Sequence, residues 1–202
     1  MKINDEILRM LKEVSQALDG AGVLYAVGGA VAMALHGARR ETVDVDVFAL
    51  EEARGKALRA IRDAGYRIEP IMESFLYAAW PPWETSDRDV RVDLRFPASE
   101  PELSGIERAQ RIEIPGGLKV RVFSPLMLTL SRLYSNQPKH LADLSIMYHR
   151  GLIPADEVNA LLNEYDPPMA RRFRIIMHRI EHPPKRRRPP RRFGPGAFGE
   201  RS

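Results

Sequence analysis

Two aspartates one residue apart, Asp44 and Asp46, lie inside the apolar run Val43-Asp44-Val45-Asp46-Val47-Phe48. No other feature of the chain narrows the possible folds as much. Val43, Val45 and Val47 alternate with the remaining positions, which is the period of a β-strand. Both carboxylates therefore leave one face while the valines bury the other. Their Cα atoms are then about 7 Å apart. Carboxylates that close repel unless positive charge sits between them, so a cation is the first partner to look for. Upstream, the apolar run 23–27 leads straight into Gly28-Gly29, and 30–36 is a small-residue segment of helical character. Gly37-Ala38-Arg39-Arg40 then makes a turn into the aspartate strand.

Composition limits what that cation can be. The chain has no cysteine, so thiolate sites and disulfides are excluded, and carboxylate, imidazole or backbone oxygen must supply any ligands. Carboxylates suit Mg²⁺ or Mn²⁺. At 202 residues, with 44% hydrophobic and 29% charged residues, the chain has the make-up of one globular domain or one domain plus a small appendage. The N-terminus is amphipathic with no signal-type apolar core, and no apolar stretch is long enough to span a bilayer. The expectation is a cytoplasmic protein with no membrane partner. The net charge of +4 is unevenly placed. From Pro183 onward the chain carries seven basic residues and one acidic residue, which leaves the body of the protein nearly neutral.

Hydrophobic periodicity outlines the rest. The spacing predicts a helix over 3–18, with Asn4 or Asp5 as cap, and another over 51–64 closed by Gly65. Strands are predicted at 66–71, 74–80 and 90–96, with a loop at 97–107 and a hairpin over 111–122 around Pro115-Gly116-Gly117. In the 90–96 strand, Val90, Val92, Leu94 and Phe96 share one face, and Arg91, Asp93 and Arg95 share the other. Asp93 can therefore be a third acid or the centre of a surface ion-pair group. After Ser124-Pro125, a cap and first turn, only helices are predicted: to about 134, then 139–149, 154–165 and 167–182. The expected division is an α/β unit (1–122), a helical subdomain (123–182) and a basic Pro/Arg-rich tail (183–202) with too few apolar residues to order itself.

Taken together, VGGAVAMALHG, RRETVDVDVF and VRVDLRF resemble the motifs of the nucleotidyltransferase (DNA polymerase β-like) superfamily. That pattern is a Gly-Gly or Gly-Ser turn, an Asp-hydrophobic-Asp strand, and a third acid on a neighbouring strand. The form Arg40-x-Thr42-x-Asp44-x-Asp46 is similar to a branch of small bacterial and archaeal members, including abortive-infection type toxins and antibiotic nucleotidyltransferases. The segment FSPLMLTLSRLYSNQPKHLADLSIMYHRGLI resembles the helical part of that branch. Two positions depart from the pattern: Gly29 stands where a serine is common, and His140 stands where an aspartate is common after Lys139.

The resemblance implies an α/β (α+β) fold, a mixed β-sheet flanked by helices and followed by the small helical subdomain. It also implies transfer of NMP from an NTP to a hydroxyl or phosphate acceptor: a tRNA 3′ end, another protein, or a small molecule such as an antibiotic. Asp44, Asp46 and Asp93 are the expected catalytic and metal-binding residues, with Mg²⁺ or Mn²⁺ as cofactor. Gly28, Gly29, Arg40, Thr42 and Lys139 are the expected nucleotide contacts. Lys185, Arg186, Arg187, Arg188, Arg191 and Arg192 form a candidate nucleic-acid contact, since phosphate recognition needs only clustered basic groups. Two alternatives stand beside this reading: a catalytically silent nucleotide- or RNA-binding module, and one half of a toxin–antitoxin pair with an antitoxin partner.

Overall fold

The computed structural model describes residues 3–39, 41–72, 75–87, 89–98, 100–135 and 137–183. Arg40 and the six basic tail residues expected at a nucleic-acid contact lie outside the described residues. The chain opens with helix α1 (Asp5–Gly20), capped by Asn4, whose side chain accepts from the Glu6 amide at 2.9 Å. Its stripe Ile7, Met10, Leu11, Val14 and Leu18 is almost wholly buried, each side chain contributing roughly 2 kcal/mol of burial. Then follow β1 (Tyr25–Val27), α2 (Gly29–Leu35) and β2 (Asp44–Ala49). The predicted single helix after β2 is split: Glu51–Ala53 winds as a 3-10 turn before α3 (Arg54–Asp63).

Strands β3 (Arg67–Met72), β4 (Leu76–Trp80) and β5 (Arg91–Arg95) come next. The loop expected at 97–107 instead contains α4 (Glu100–Glu107). Ser104 and Gly105 argue against helix by propensity, but Gly105 is needed for close packing. A Cβ there would meet Met127 Cγ at 2.6 Å, and the neighbouring Ile106 is fully buried. The chain continues through β6 (Gln110–Glu113), β7 (Lys119–Val122), α5 (Pro125–Tyr134), α6 (Pro138–His149), α7 (Ala155–Tyr165) and α8 (Pro167–Glu181). Ser124 caps α5 by accepting from the Met127 amide at 3.2 Å. Among the described residues, no helix is long and apolar enough to cross a membrane.

All seven strands form one mixed sheet, in the order β3-β4-β5-β2-β1-β7-β6. Antiparallel pairing joins β1 to β2, and parallel pairing joins β2 to β5 and β1 to β7. This puts β2 in the middle of the sheet. Val45, Val47, Val92 and Leu94 join the α1 stripe in the main core. A second apolar cluster gathers Leu130, Leu133, Leu144, Val158, Leu162, Ala170, Phe173 and Met177 from α5 to α8. Helix α5 serves both clusters, since its Met127 and Leu128 face the first and its Leu130 and Leu133 face the second. The sheet and the helices are thus held by a shared element that runs past the acidic strand face.

Candidate active site

The register of β2 against β5 decides the site. Asp46 lies directly opposite Asp93, Asp44 opposite Arg91, and Phe48 opposite Arg95. Alternation puts all six on one face, as the sequence pattern predicts. Two like charges facing each other across neighbouring strands are destabilising unless compensated. Here the compensation comes from β5 itself. Arg95 Nε lies 3.1 Å from Asp46 Oδ1 and its Nη2 lies 3.5 Å from Asp93 Oδ2. Arg91 Nε donates to Asp93 Oδ1 at 2.8 Å. Asp93 is therefore both the third acid of the cluster and the centre of the ion-pair group. Asp44 accepts a short hydrogen bond from the Thr42 hydroxyl.

The glycine turn is built around Asp46. Gly28 N–H donates to the Asp46 carbonyl at 2.9 Å. Gly29 has φ +62°, and a Cβ on it would stand 1.9 Å from Asp46 Oδ2. A serine at this position is therefore disfavoured by both backbone and space unless Asp46 turns away, which gives a physical reason for the departure from Gly-Ser. Gly28 is required for a different contact: a Cβ there would meet Phe48 Cε2 at 2.5 Å and Phe123 Cδ2 at 3.1 Å. Those two rings pack with centroids 4.7 Å apart.

Desolvation drives the electrostatics of Asp46. It pushes the carboxyl above the ordinary range, while Arg95 opposes it, the charges of Asp44 and Asp93 add to it, and Arg132 opposes it more weakly. The hydrogen bond to Asp93 holds Arg91 firmly in its charged form. Arg132 is itself buried in α5, with Nε 2.9 Å from Asp143 Oδ2 on α6. Asp143 is fully buried, so it is not the helix-surface partner of Lys139 that their spacing suggests.

These residues line a cleft of about 1060 Å³. It brings together Gly29, Asp44, Asp46, Asp93 and Lys139 of the expected set. Thr42 lines an adjoining cleft of about 990 Å³, which shares Asp44 and Lys139 with the first. Gly28 sits beneath the Phe48–Phe123 pair. His36 caps α2 and its Nε2 lies 2.8 Å from the Phe123 carbonyl, a packing role.

Comparison with solved structures fits this arrangement. The antibiotic-resistance factor ANT(2'')-Ia, determined in solution, superposes with a TM-score of 0.55 at 17% identity, over 87% of this chain and 97% of that one. An antigenic nucleotidyltransferase-like protein from Paracoccidioides brasiliensis gives 0.59 at 16% identity, over 88% and 90%. The crystal structure of ANT(2'')-Ia with adenylyl-2''-tobramycin gives 0.53 at 18% identity, over 83% and 97%. The fold is that of the nucleotidyltransferases. By sequence alone, no protein-family model and no curated protein matches the chain.

Within this nucleotidyltransferase fold, the cleft also draws on residues that sequence reasoning did not single out. Phe75 and Phe96 form apolar wall, Glu51 and Glu102 add acid, and Arg132 brings a buried positive charge. Arg132 had one visible signal, a basic residue at an otherwise apolar stretch of α5, between Leu130 and Leu133. The aromatic wall carried none, because Phe96 at a strand end reads as an ordinary core position and Phe75 as a lone exposed aromatic.

Proposed function

We propose that the protein is a metal-dependent nucleotidyltransferase, moving NMP from an NTP to a hydroxyl or phosphate acceptor. The observation that carries this reading is the facing of Asp46 and Asp93 on adjacent parallel strands, with Asp44 beside them, at the floor of a cleft of nucleotide size. The donor set fits a hard divalent cation, because it is all carboxylate oxygen. Arg95 supports this from within the structure: a guanidinium cation bridges Asp46 and Asp93, where the carboxylates draw positive charge. Bound there, Mg²⁺ or Mn²⁺ would neutralise phosphate charge and lower the pKa of an attacking hydroxyl.

The remaining work falls to the chain's own side chains. Asp44, Asp46 and Asp93 would hold the ions, and Thr42 orients Asp44 through its hydroxyl. Arg95, Arg91 and Lys139 line the same cleft and would give the triphosphate oxygens their positive partners. The Phe48–Phe123 pair offers an apolar surface to a base or acceptor ring. Small-molecule acceptors suit a cleft of this volume, as the adenylyl-tobramycin held by ANT(2'')-Ia illustrates for that protein. Acceptor RNA and a masking antitoxin remain part of the proposal only through the sequence resemblance.

One observation favours a second reading, a catalytically silent nucleotide- or RNA-binding module. The acids are already satisfied by arginines, so their retention does not require a metal. Incubation with each labelled NTP, Mg²⁺ or Mn²⁺, and pools of RNA, protein and small hydroxylated acceptors separates the two. Nucleotidyl transfer that disappears in Asp44→Ala and Asp93→Ala supports the enzyme. Metal-independent nucleotide binding without transfer supports the silent module, and transfer undiminished in both variants rules out the proposed site.

A further inference from the structure

Away from the cleft, the end of α8 gathers His178, Glu181 and His182, all exposed. Their spacing of i, i+3 and i+4 places them on one helical face. One ligand atom from each lies within 4.8 Å of the others, and among the described residues no other His, Asp or Glu trio is drawn so tightly together. The three carboxylates of the cleft stand wider apart.

The trio is also oriented. His182 Nδ1 lies 3.2 Å from the His178 carbonyl oxygen, so that nitrogen carries the proton and Nε2 keeps its lone pair. Tyr148 on α6 donates to Glu181 Oε1 at 3.2 Å, leaving the second carboxylate oxygen available. Hydrogen-bond partners of this kind fix tautomer and direction in metal sites. The two imidazoles stack, with centroids 4.5 Å apart and planes inclined by 30°, so one exposed ring must turn for both in-plane lone pairs to converge on one ion. The helix C-terminus adds partial negative charge that favours a cation, while Arg179 opposes it.

We propose that His178, Glu181 and His182 bind one divalent transition-metal ion of the zinc or nickel kind, at a site separate from the acidic cleft. Two imidazoles and a carboxylate suit these ions, whereas Mg²⁺ prefers oxygen ligands and retains its waters. The ligand atoms lie within 4.8 Å of one another, and rotation of the exposed side chains can bring them to bond lengths of about 2.0–2.2 Å on one ion. The same order of residues, H-x-x-E-H, occurs in inverted zinc peptidases with the glutamate as base. Here the helix end lines neither cleft, so the inference is binding without catalysis. The bound ion ties the last turn of α8 at the point where the chain enters its basic segment.

The test is calorimetric titration of the full chain, free of any histidine tag, with Zn²⁺ against a background of excess Mg²⁺ that keeps the acidic cleft occupied. One saturable equivalent is expected. Substituting ligands weakens binding by more than the roughly 10- to 100-fold seen for outer partners. His178→Ala/His182→Ala should show this loss, and Glu181→Gln a smaller one, with unchanged helical circular dichroism in both. Asp46→Asn/Asp93→Asn should bind zinc as the parent does. Absence of saturable binding, unaltered affinity in the histidine variant, or loss confined to the aspartate variant would each overturn the proposal.

Discussion

Gly29→Ser restores the serine of the resembled motif, yet the structure demands that it damage the protein. Gly29 sits at φ +62°, where an L-residue with a Cβ is strained by about 1–2 kcal/mol. The new Cβ would also stand 1.9 Å from Asp46 Oδ2, so Asp46 must turn away. That movement breaks the 3.1 Å pair with Arg95, a partly exposed contact contributing at most about 1 kcal/mol. Together the variant loses about 1–3 kcal/mol, which at this chain length lowers Tm by roughly 2–12 °C. Thermal melts and urea titrations of Gly29→Ser and Gly29→Ala measure it, and the two should agree because the damage comes from Cβ. Nucleotidyl transfer should fall in both, since an ångström of misplacement at reacting groups can cost about 100-fold. If Gly29→Ser stays within about 0.5 kcal/mol of the parent, as a surface substitution would, the interlock of turn and acid is wrong.

Asp46→Asn should abolish transfer while stabilising the metal-free protein by on the order of 1 kcal/mol, a trade-off expected of a desolvated functional charge. The sign follows from desolvation raising the Asp46 carboxyl above its ordinary value of 3.8. Its contribution to stability is present below 3.8 and is lost as pH rises through the folded value, so the variant's advantage should open above that point; denaturant titration from acid to neutral pH checks it. Asp143→Ala strands the buried Arg132 charge and should lose about 3–5 kcal/mol, whereas Arg132→Met/Asp143→Leu should recover most of it by urea denaturation. Arg95→Gln frees Asp46 and one oxygen of Asp93, whose other oxygen stays with Arg91, so Mn²⁺ titrated by electron paramagnetic resonance should bind up to about tenfold more tightly. Weaker Mn²⁺ binding would mean the carboxylates are not the ligands.

Much of the acidic face was legible because a strand has only two faces. Alternation in Asp44–Phe48 and in Arg91–Arg95 determined which side chains emerge together, and no tertiary knowledge was needed for that. Register was not legible, since a slip of one residue would place Asp46 opposite an apolar neighbour of Asp93 rather than Asp93 itself. Helix α4 was missed because Gly105 reads as a breaker, and only the nearness of Met127 reveals why a glycine is there. The i, i+4 spacing of Lys139 and Asp143 describes one helix only, while Asp143 pairs with Arg132 on another. Long-range partners of charged groups leave no local periodicity in a sequence.

The contacts around Asp46 share one cause. Its carboxylate is packed against a turn that has no Cβ to displace it, faces a second carboxylate, and is neutralised by a guanidinium from the neighbouring strand. Removing any member changes what the others must tolerate: a side chain at Gly29 drives Asp46 outward, and loss of Arg95 leaves Asp46 without a cation while Asp93 keeps Arg91. An arrangement that is unfavourable in isolation persists when surrounding structure over-determines it. A purely structural strand would gain by replacing Asp46 with an apolar residue, because the surroundings are already apolar at Phe48 and Phe123. Arg95 therefore offsets at Asp46 both the desolvation and the facing carboxylate, which is why the acid can stand among these neighbours.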